Sequence, residues 1–163
     1  MKDKQTLASC LVILSLLLSA PAVVAPANAD GQRTRTPLII EQAGGGYIEL
    51  QVELAADPAS RRRGLMHRRH LPPQTGMLFD YGREQSVQMW MKNTRIPLDM
   101  LFVDGDGRIV HIVRHTDPGS HELIDSGQPV RAVLEVNAGF SSRQGISTGQ
   151  LVRHAIFGNR PAP

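Results

Sequence analysis

Residues 98–113 read LDMLFVDGDGRIVHIV, and this stretch decides the fold class. Leu98 to Val103 is a mostly apolar run whose length and composition are typical of a strand. Asp104-Gly105-Asp106-Gly107 indicates a tight turn, because glycine tolerates positive φ and aspartate bonds its own local backbone. Arg108 to Val113 then reads as a second apolar run. The stretch therefore predicts an antiparallel β-hairpin.

Strand patterns continue on both sides of this hairpin. Tyr47 to Leu54 alternates between apolar and polar side chains, which is the period of a half-buried strand. Further strands are predicted over 76–79, 87–91, 130–136 and 150–157, with a polar loop over 116–129. Because strands do not alternate with helices, the fold class is mainly β, an antiparallel β-sandwich or small barrel-like fold with one short helix.

The one predicted helix begins at Asp57-Pro58. Aspartate accepts the free amide hydrogens at a helix start, and proline suits the first helical position. The helix is expected to run through Met66 or His67. Gly64 inside it costs about 1 kcal/mol relative to alanine, which indicates either a close approach to another element or a weak turn.

The N-terminus has the features of a signal peptide over 1–29. A short start with two lysines precedes the apolar run Leu11 to Leu18, which is too short to span a bilayer. Ala27-Asn28-Ala29 matches the pattern that a signal peptidase cleaves. A retained anchor is the alternative. The remaining chain is divided into an N-terminal leader (30–46), a single β-rich domain (47–157) and a flexible C-terminal tail (158–163).

Composition limits the chemistry of the exported chain. Cleavage would remove Cys10, the one cysteine, so neither a disulfide framework nor thiol chemistry is expected. Cleavage would also lower the formal net charge from +3 to +2, which is too small to imply nucleic acid or a membrane surface. We expect a protein of the periplasm or the exterior, with no transmembrane span after cleavage. Its expected partner is a small molecule or a component of the cell envelope, not nucleic acid.

Several motifs occur in order along the chain. They are Arg61-x-x-Gly64-Leu65-Met66-x-Arg68-x-x-Leu71, Gly76-Met77-Leu78-Phe79, Trp90-Met91-Lys92-Asn93-Thr94 with Ile96-Pro97-Leu98-Asp99, and Arg131-Ala132-Val133-Leu134-Glu135. With these motifs the chain resembles the domain-of-unknown-function 192 family over roughly residues 48–153. The resemblance implies a compact, mostly antiparallel β-fold with one short helix, often exported, and it brings no activity. Met89 and His67 depart from the aromatic residues that are common at those positions.

Asp99 is the most conspicuous candidate, because it stands between apolar neighbours in a strand that reads as central. A buried carboxylate needs partners, since unpaired burial costs several kcal/mol. We expect Asp99 to be buried and salt-bridged to Arg68 or Lys92. It could pin the turn over 92–97, or it could face a ligand in a pocket.

The leading function is therefore a binding or accessory module with a small polar pocket around Asp99, and catalysis is not expected. The candidate ligand-binding residues are Arg61, Met66, Arg68, Trp90, Lys92, Asn93, Thr94, Asp99 and Glu135. No cofactor is expected for this function.

Two alternatives remain open. Met89 and Met91 share a strand face and, with a histidine, could hold Cu(I) or another metal, since thioethers are soft ligands, although methionine more often fills core gaps. Asp99 and Glu135 could form the paired carboxylates of a hydrolase, but the sequence does not place them together. For Glu135, pairing with an arginine is the simpler structural interpretation.

Overall fold

The computed structural model describes residues 34–159 of the chain. The expected signal peptide lies outside the described residues, as do the start of the expected leader and the end of the expected tail. The elements in chain order are β1 (Arg35–Glu41), β2 (Tyr47–Ala55), α1 (Pro58–Arg63), β3 (Thr75–Gln85), β4 (Gln88–Met89), β5 (Leu98–Val103), β6 (Ile109–Val113), β7 (Ile124–Asp125), β8 (Val130–Asn137), α2 (Phe140–Arg143), β9 (Val152–Arg153) and a 3-10 helix (Ala155–Phe157).

Seven strands form one sheet in the order β6-β5-β8-β3-β2-β1-β9, and β4 pairs separately with β7. The predicted hairpin is confirmed as the antiparallel pair β5–β6, and the mainly β fold class is confirmed with it. One pair departs from the antiparallel expectation, since β2 and β3 run parallel. The connection through α1 explains this, because a crossover brings the chain back to the same end of the sheet.

The sheet curls until its two edges meet beside the hairpin turn. The Val152 N–H donates to the Gly107 carbonyl at 2.7 Å, and the Ile109 N–H donates to the Gln150 carbonyl at 3.0 Å. Gly107 has a φ of +86°, and a Cβ there would lie 2.6 Å from the Val152 carbonyl oxygen. Only glycine allows this approach. The turn residue that predicts the hairpin therefore also allows the sheet to close.

Each face of the sheet carries a buried hydrophobic core. The inner face, inside the curl, packs Leu38, Ile40, Leu50, Val52, Leu78, Leu101 and Leu134. The outer face is covered by α1 and the segments that follow it, and packs Leu65, Met77, Phe79, Met91, Met100, Phe102 and Val133. All six residues of β5 are buried as a result.

Two boundaries differ from the sequence predictions in the N-terminal half. Residues 35–41 of the expected leader form β1, which pairs with both β2 and β9, and the polar residues around Leu38 hide its strand pattern. The expected helix ends at Arg63, because Gly64 takes a φ of +48° against the Phe79 ring. A Cβ on Gly64 would lie 3.1 Å from Phe79 Cζ, which confirms the predicted close approach.

Two further boundaries differ near the C-terminus. The predicted loop over 116–129 contains β7, which pairs with β4. The predicted strand over 150–157 is reduced to Val152–Arg153, since the His154 side chain caps the 3-10 helix that follows. Among residues 34–159, no helix is both long enough and apolar enough to span a membrane.

Candidate functional site

Asp99 is fully buried, as predicted, and lies on the inner face of β5. Its Oδ1 accepts the backbone N–H of His115 at 3.0 Å and of Gly139 at 3.1 Å, and its Oδ2 accepts the Ser141 N–H at 2.9 Å. Burial on its own raises the pKa of Asp99, but these three backbone donors outweigh it and hold the pKa below its ordinary value. Asp99 therefore ties two loops to the end of β5.

The predicted salt bridge from Asp99 to Arg68 or Lys92 is wrong. Arg68 donates to both carboxylate oxygens of Glu53, at 2.7 and 2.5 Å. The Lys92 ammonium lies 5.5 Å from the centre of the Trp90 ring. The physical reason is the strand period: Leu98 and Met100 face outward, so Asp99 points to the opposite side of the sheet.

A row of four side chains crosses the outer face. Glu53 on β2 is paired in register with Met77 on β3, Met77 with Glu135 on β8, and Glu135 with Met100 on β5. Neighbouring strands lie about 4.8 Å apart, so the two glutamates are roughly 10 Å apart along the row. Both glutamates are 4% exposed, so two buried acids share one apolar face.

Glu135 differs from Glu53 because nothing in the described chain pairs with it. Glu53 is held by Arg68, with Arg35 at 3.7 Å. Within residues 34–159, no hydrogen bond or ion pair reaches the Glu135 carboxylate. Burial raises the pKa of Glu135 to about 8. The group is therefore mostly a neutral carboxylic acid at pH 7, and the interpretation that an arginine pairs with it is wrong.

Glu135 lines a cleft of about 220 Å³ on the outer face of the sheet. The cleft lies between α1 with its exit, the strand β3 and the segment over 88–94. Its lining comprises Arg61, Arg62, Arg63, Gly64, Leu65, Met66, Phe79, Tyr81, Gln88, Met89, Trp90, Thr94 and Glu135. A concave, largely apolar site with a few polar groups is the usual anatomy of a small-ligand site.

Arg61 and Tyr81 form a fixed pair on one wall of the cleft. The Arg61 Nη1 donates to the Asp80 carbonyl at 2.8 Å and to the Ala56 carbonyl, and its guanidinium carbon lies 5.2 Å from the centre of the Tyr81 ring. Burial raises the pKa of Tyr81 to about 12. The positive charge of Arg61 opposes this rise, and the negative charge of ionised Glu135 adds to it. Tyr81 is therefore neutral at physiological pH, and it lies close enough to Glu135 for their charges to interact.

The structure gathers five of the nine predicted ligand-binding residues around this cleft: Arg61, Met66, Trp90, Thr94 and Glu135. The other four, Arg68, Lys92, Asn93 and Asp99, are not among its lining. Asn93 has a φ of +59°, and its carbonyl accepts the His67 N–H at 2.8 Å, so it joins two loops. This cleft is lined by Glu135 and not by Asp99, which points to the other face of the sheet.

The two methionines of the copper alternative contact different hydroxyl groups. Tyr81 Oη donates to the Met89 sulfur at 3.3 Å, and Thr116 Oγ1 donates to the Met91 sulfur at 3.2 Å. Met89 lines the cleft, whereas Met91 is 1% exposed and belongs to the outer core. In residues 34–159, no three histidine, cysteine, aspartate or glutamate side chains are grouped so that they could hold a metal ion.

The paired-carboxylate alternative is wrong in its geometry. Asp99 pairs in register with Val136 and Met100 pairs with Glu135, so Asp99 and Glu135 point to opposite faces of the sheet. The sheet itself separates the two carboxylates. They cannot flank one scissile bond.

Some cleft residues are absent from the predicted set. Tyr81 is missing because the strand was predicted to stop at Phe79, yet Met77, Phe79 and Tyr81 alternate on one face, a signal that finds it. Arg62 and Arg63 are exposed on α1 and also border the cleft. Gln88 enters it from β4, which lies in the predicted strand over 87–91 and pairs with β7 in the predicted loop over 116–129.

The fold and the site together define a mainly β domain with a small cleft on the outer face of its curled sheet. The chain belongs to the DUF192 family, described as an uncharacterized ACR, which it matches over residues 39–154. None of the curated proteins matches it.

Two solved structures are similar to this chain. One, from Sinorhizobium meliloti 1021, is described as a candidate transcription regulator; it is 47% identical, with a TM-score of 0.73, covering 75% of this chain and 95% of that one. The other, from Novosphingobium aromaticivorans DSM 12444, is described as a protein of unknown function. It is 33% identical, with a TM-score of 0.72, covering 84% of this chain and 94% of that one.

Proposed function

We propose that this protein is a binding domain for a small ligand, and that the ligand sits in the outer-face cleft with Glu135 at its floor. The observation that carries the proposal is the Glu135 carboxyl group, which is buried, open to the cleft and without a partner among residues 34–159. A ligand that hydrogen-bonds this carboxyl would supply the missing partner.

The energetic cost of Glu135 supports a functional role. With a pKa of about 8 in the folded chain against 4.5 for the free side chain, this one group destabilises the fold by about 3 kcal/mol at pH 7. Folded domains are stable by only about 5–15 kcal/mol, so this is a large share. Strained or unfavourable groups of this kind are retained where function requires them.

The size of the cleft favours a small ligand. Its volume of about 220 Å³ lies below the roughly 300–1,000 Å³ of sites that enclose drug-sized molecules. A single ring, or the terminal unit of a longer molecule, fits that volume. Glu135 is the only carboxylate in the lining, so binding fits the site better than hydrolysis by a carboxylate pair.

We also propose that the domain acts after export, in the periplasm or outside the cell. The support is in the sequence of the N-terminus, where the Leu11–Leu18 run precedes the Ala27-Asn28-Ala29 pattern. The relative described as a candidate transcription regulator suggests nucleic acid instead. The described helices favour the small ligand, because six and four residues are short for a recognition helix in a major groove.

Copper remains the second candidate, with Met89, Met91 and a histidine as its ligands. Both sulfurs accept hydroxyl hydrogen bonds, which is what packing methionines do. A Cu(I) titration with a competing chelator separates the two candidates. Affinity tighter than about 1 μM that is lost in Met89→Leu would favour copper handling.

The intrinsic fluorescence of Trp90 provides a direct test, because it is the one tryptophan in the chain and it lines the cleft. Small ring compounds (sugars, aromatic acids and cyclic amines) are titrated against the full chain at pH 7. We expect at least one compound to change the fluorescence saturably and to lose at least tenfold in affinity in Glu135→Leu.

Glu49→Leu is the matched control, because Glu49 is an exposed glutamate on β2, away from the cleft. It should leave the affinity unchanged. The absence of any saturable response, or equal affinities in Glu135→Leu and wild type, would contradict the proposed function.

A further inference from the structure

We infer that the ligand of this cleft is a sugar ring that carries a carboxylate, of the uronic acid type. This inference rests on the proposed function and names its ligand class. Three observations support it: the charge of the cleft rim, the exposed tryptophan at the mouth, and the unpaired polar groups at the floor.

The rim of the cleft is positively charged. Three consecutive arginines, Arg61, Arg62 and Arg63, line it, and the one acid in the lining is Glu135. Arg62 and Arg63 are exposed, and neither guanidinium group has a hydrogen bond or ion pair within the described residues. A guanidinium binds a carboxylate through two parallel N–H groups, so an anionic ligand is complementary to this rim.

The mouth of the cleft presents an aromatic surface. Trp90 lines the cleft and is 44% exposed, although it is a large apolar side chain. Its backbone follows β4, in which Met89 faces the core, so the indole points away from the core. The Lys92 ammonium lies over one face of this ring, 5.5 Å from its centre. The opposite flat apolar face, beside the polar N–H, suits a ring that is apolar on its face and polar at its edge.

The floor of the cleft has unused hydrogen-bonding capacity. The Glu135 carboxyl and the Thr94 hydroxyl both line the cleft, both residues are less than 10% exposed, and neither group has a hydrogen-bond partner in the part of the chain that the structure describes. A hydroxyl and a neutral carboxylic acid each donate and accept. Ring hydroxyl groups also donate and accept, whereas an aromatic acid whose carboxylate is bound to the arginine rim would leave both floor groups unsatisfied.

The test compares three probes with the full chain at pH 7 by Trp90 fluorescence: D-glucuronate, D-glucose and benzoate. Glucose has the hydroxyl groups without the charge, and benzoate has the charge without the hydroxyl groups. We expect glucuronate to bind at least tenfold more tightly than either. An oligomer of uronic acid tests the source: tighter binding than the monomer indicates a polysaccharide end, and equal binding indicates a free sugar.

The charge contribution is tested with Arg62→Gln/Arg63→Gln, which should reduce the advantage of glucuronate over glucose at least threefold. Arg69→Gln is the matched control, because Arg69 is exposed on the same segment but does not line the cleft. Glucose or benzoate binding as tightly as glucuronate would overturn the inference, and so would an equal effect of Arg69→Gln.

The two proposals fail in different ways. If benzoate or a cyclic amine binds with a loss of affinity in Glu135→Leu and glucuronate does not bind, the ligand class is wrong and the binding function stands. If no probe or ring compound changes Trp90 fluorescence saturably, both proposals fail.

Discussion

Asp99 and Glu135 are two buried carboxylates on neighbouring strands of one sheet, and they differ in their hydrogen-bond partners and in the direction of their pKa shifts. Asp99 faces inward and accepts three backbone N–H groups. Glu135 faces outward into a cleft with no partner in residues 34–159. The pKa of Asp99 is lowered, and that of Glu135 is raised to about 8. Burial alone therefore does not identify a functional acid; the supply of partners separates the structural carboxylate from the candidate functional one.

The largest expected effect on stability comes from removing Asp99, the carboxylate that accepts three backbone hydrogen bonds. Asp99→Ala leaves three N–H groups without an acceptor, two of them in buried hydrogen bonds. At about 1–3 kcal/mol for each unsatisfied group, we expect a loss of about 4 kcal/mol in the free energy of unfolding. Urea denaturation measures it, and Asp106→Ala in the exposed hairpin turn is the control. A loss below about 1 kcal/mol would show that Asp99 does not hold these loops.

The second effect has the opposite sign. Glu135→Gln should stabilise the fold by about 3 kcal/mol at pH 7, because the ionisation that favours the unfolded chain is removed. The folded pKa of about 8 lies above the unfolded value of 4.5. The contribution of this group to stability is therefore complete below pH 4.5 and is lost as the pH rises to about 8.

Urea denaturation between pH 4.5 and pH 8.5 measures this dependence in wild type and in Glu135→Gln. The difference between the two should grow across that interval and then level off. Glu49→Gln, at an exposed position, should follow wild type. Equal stability of wild type and Glu135→Gln at pH 8.5 would remove the energetic argument for function.

The third prediction concerns the ion pair between Glu53 and Arg68. Arg68→Met removes the bidentate partner of Glu53 and leaves Arg35 at 3.7 Å. Breaking a buried pair costs about 3–5 kcal/mol, and because the Arg68 side chain is 24% exposed we expect about 2 kcal/mol. Denaturation of Arg68→Met and of Arg68→Met/Glu53→Gln measures it; the second change should restore stability. A double variant no more stable than Arg68→Met would mean that Glu53 is not left uncompensated.

The smallest effect concerns His154, a buried group whose ring nitrogens both have partners. Its Nε2 lies 2.8 Å from Thr36 Oγ1, and its Nδ1 accepts the Ile156 N–H at 3.3 Å. Burial lowers the pKa of His154, and Asp80 partly opposes this. Because the folded pKa lies below the unfolded value of 6.5, stability is complete above pH 6.5 and is lost as the pH falls. Thermal melts at pH 7.5 and 5.5 should show that the melting temperature decreases less in His154→Gln than in wild type. Equal decreases would show that groups other than His154 cause the loss of stability in acid.

The sequence predicts the fold better than it predicts the site. The β5–β6 hairpin depends on a local turn signal and two apolar runs, so it can be read from neighbouring residues. The closure of the sheet depends on Gly107 meeting Val152, which are 45 positions apart, and no local pattern encodes it. The strand β1 is missed for a different, local reason, because polar residues surround its short apolar run at Leu38–Ile40.

The partners of the two carboxylates show the same limit. The burial of Asp99 follows from its apolar neighbours, but its acceptor role depends on amides 16 to 42 positions away. An arginine partner for Glu135 is a reasonable expectation from a chain rich in arginine. The structure assigns those arginines elsewhere, since Arg68 binds Glu53 and Arg61 binds two carbonyls. Which acid remains unpaired is a property of the packed sheet.

The most direct test of this difference is a ¹³C NMR titration of the side-chain carboxyl carbons of Glu135 and Asp99 in one sample. We predict that the pKa of Glu135 is about 8, while that of Asp99 lies below 3.8. A pKa for Glu135 near 4.5 would show that its carboxyl group is solvated or paired, and would contradict the assignment of Glu135 as the unpaired acid of a binding cleft.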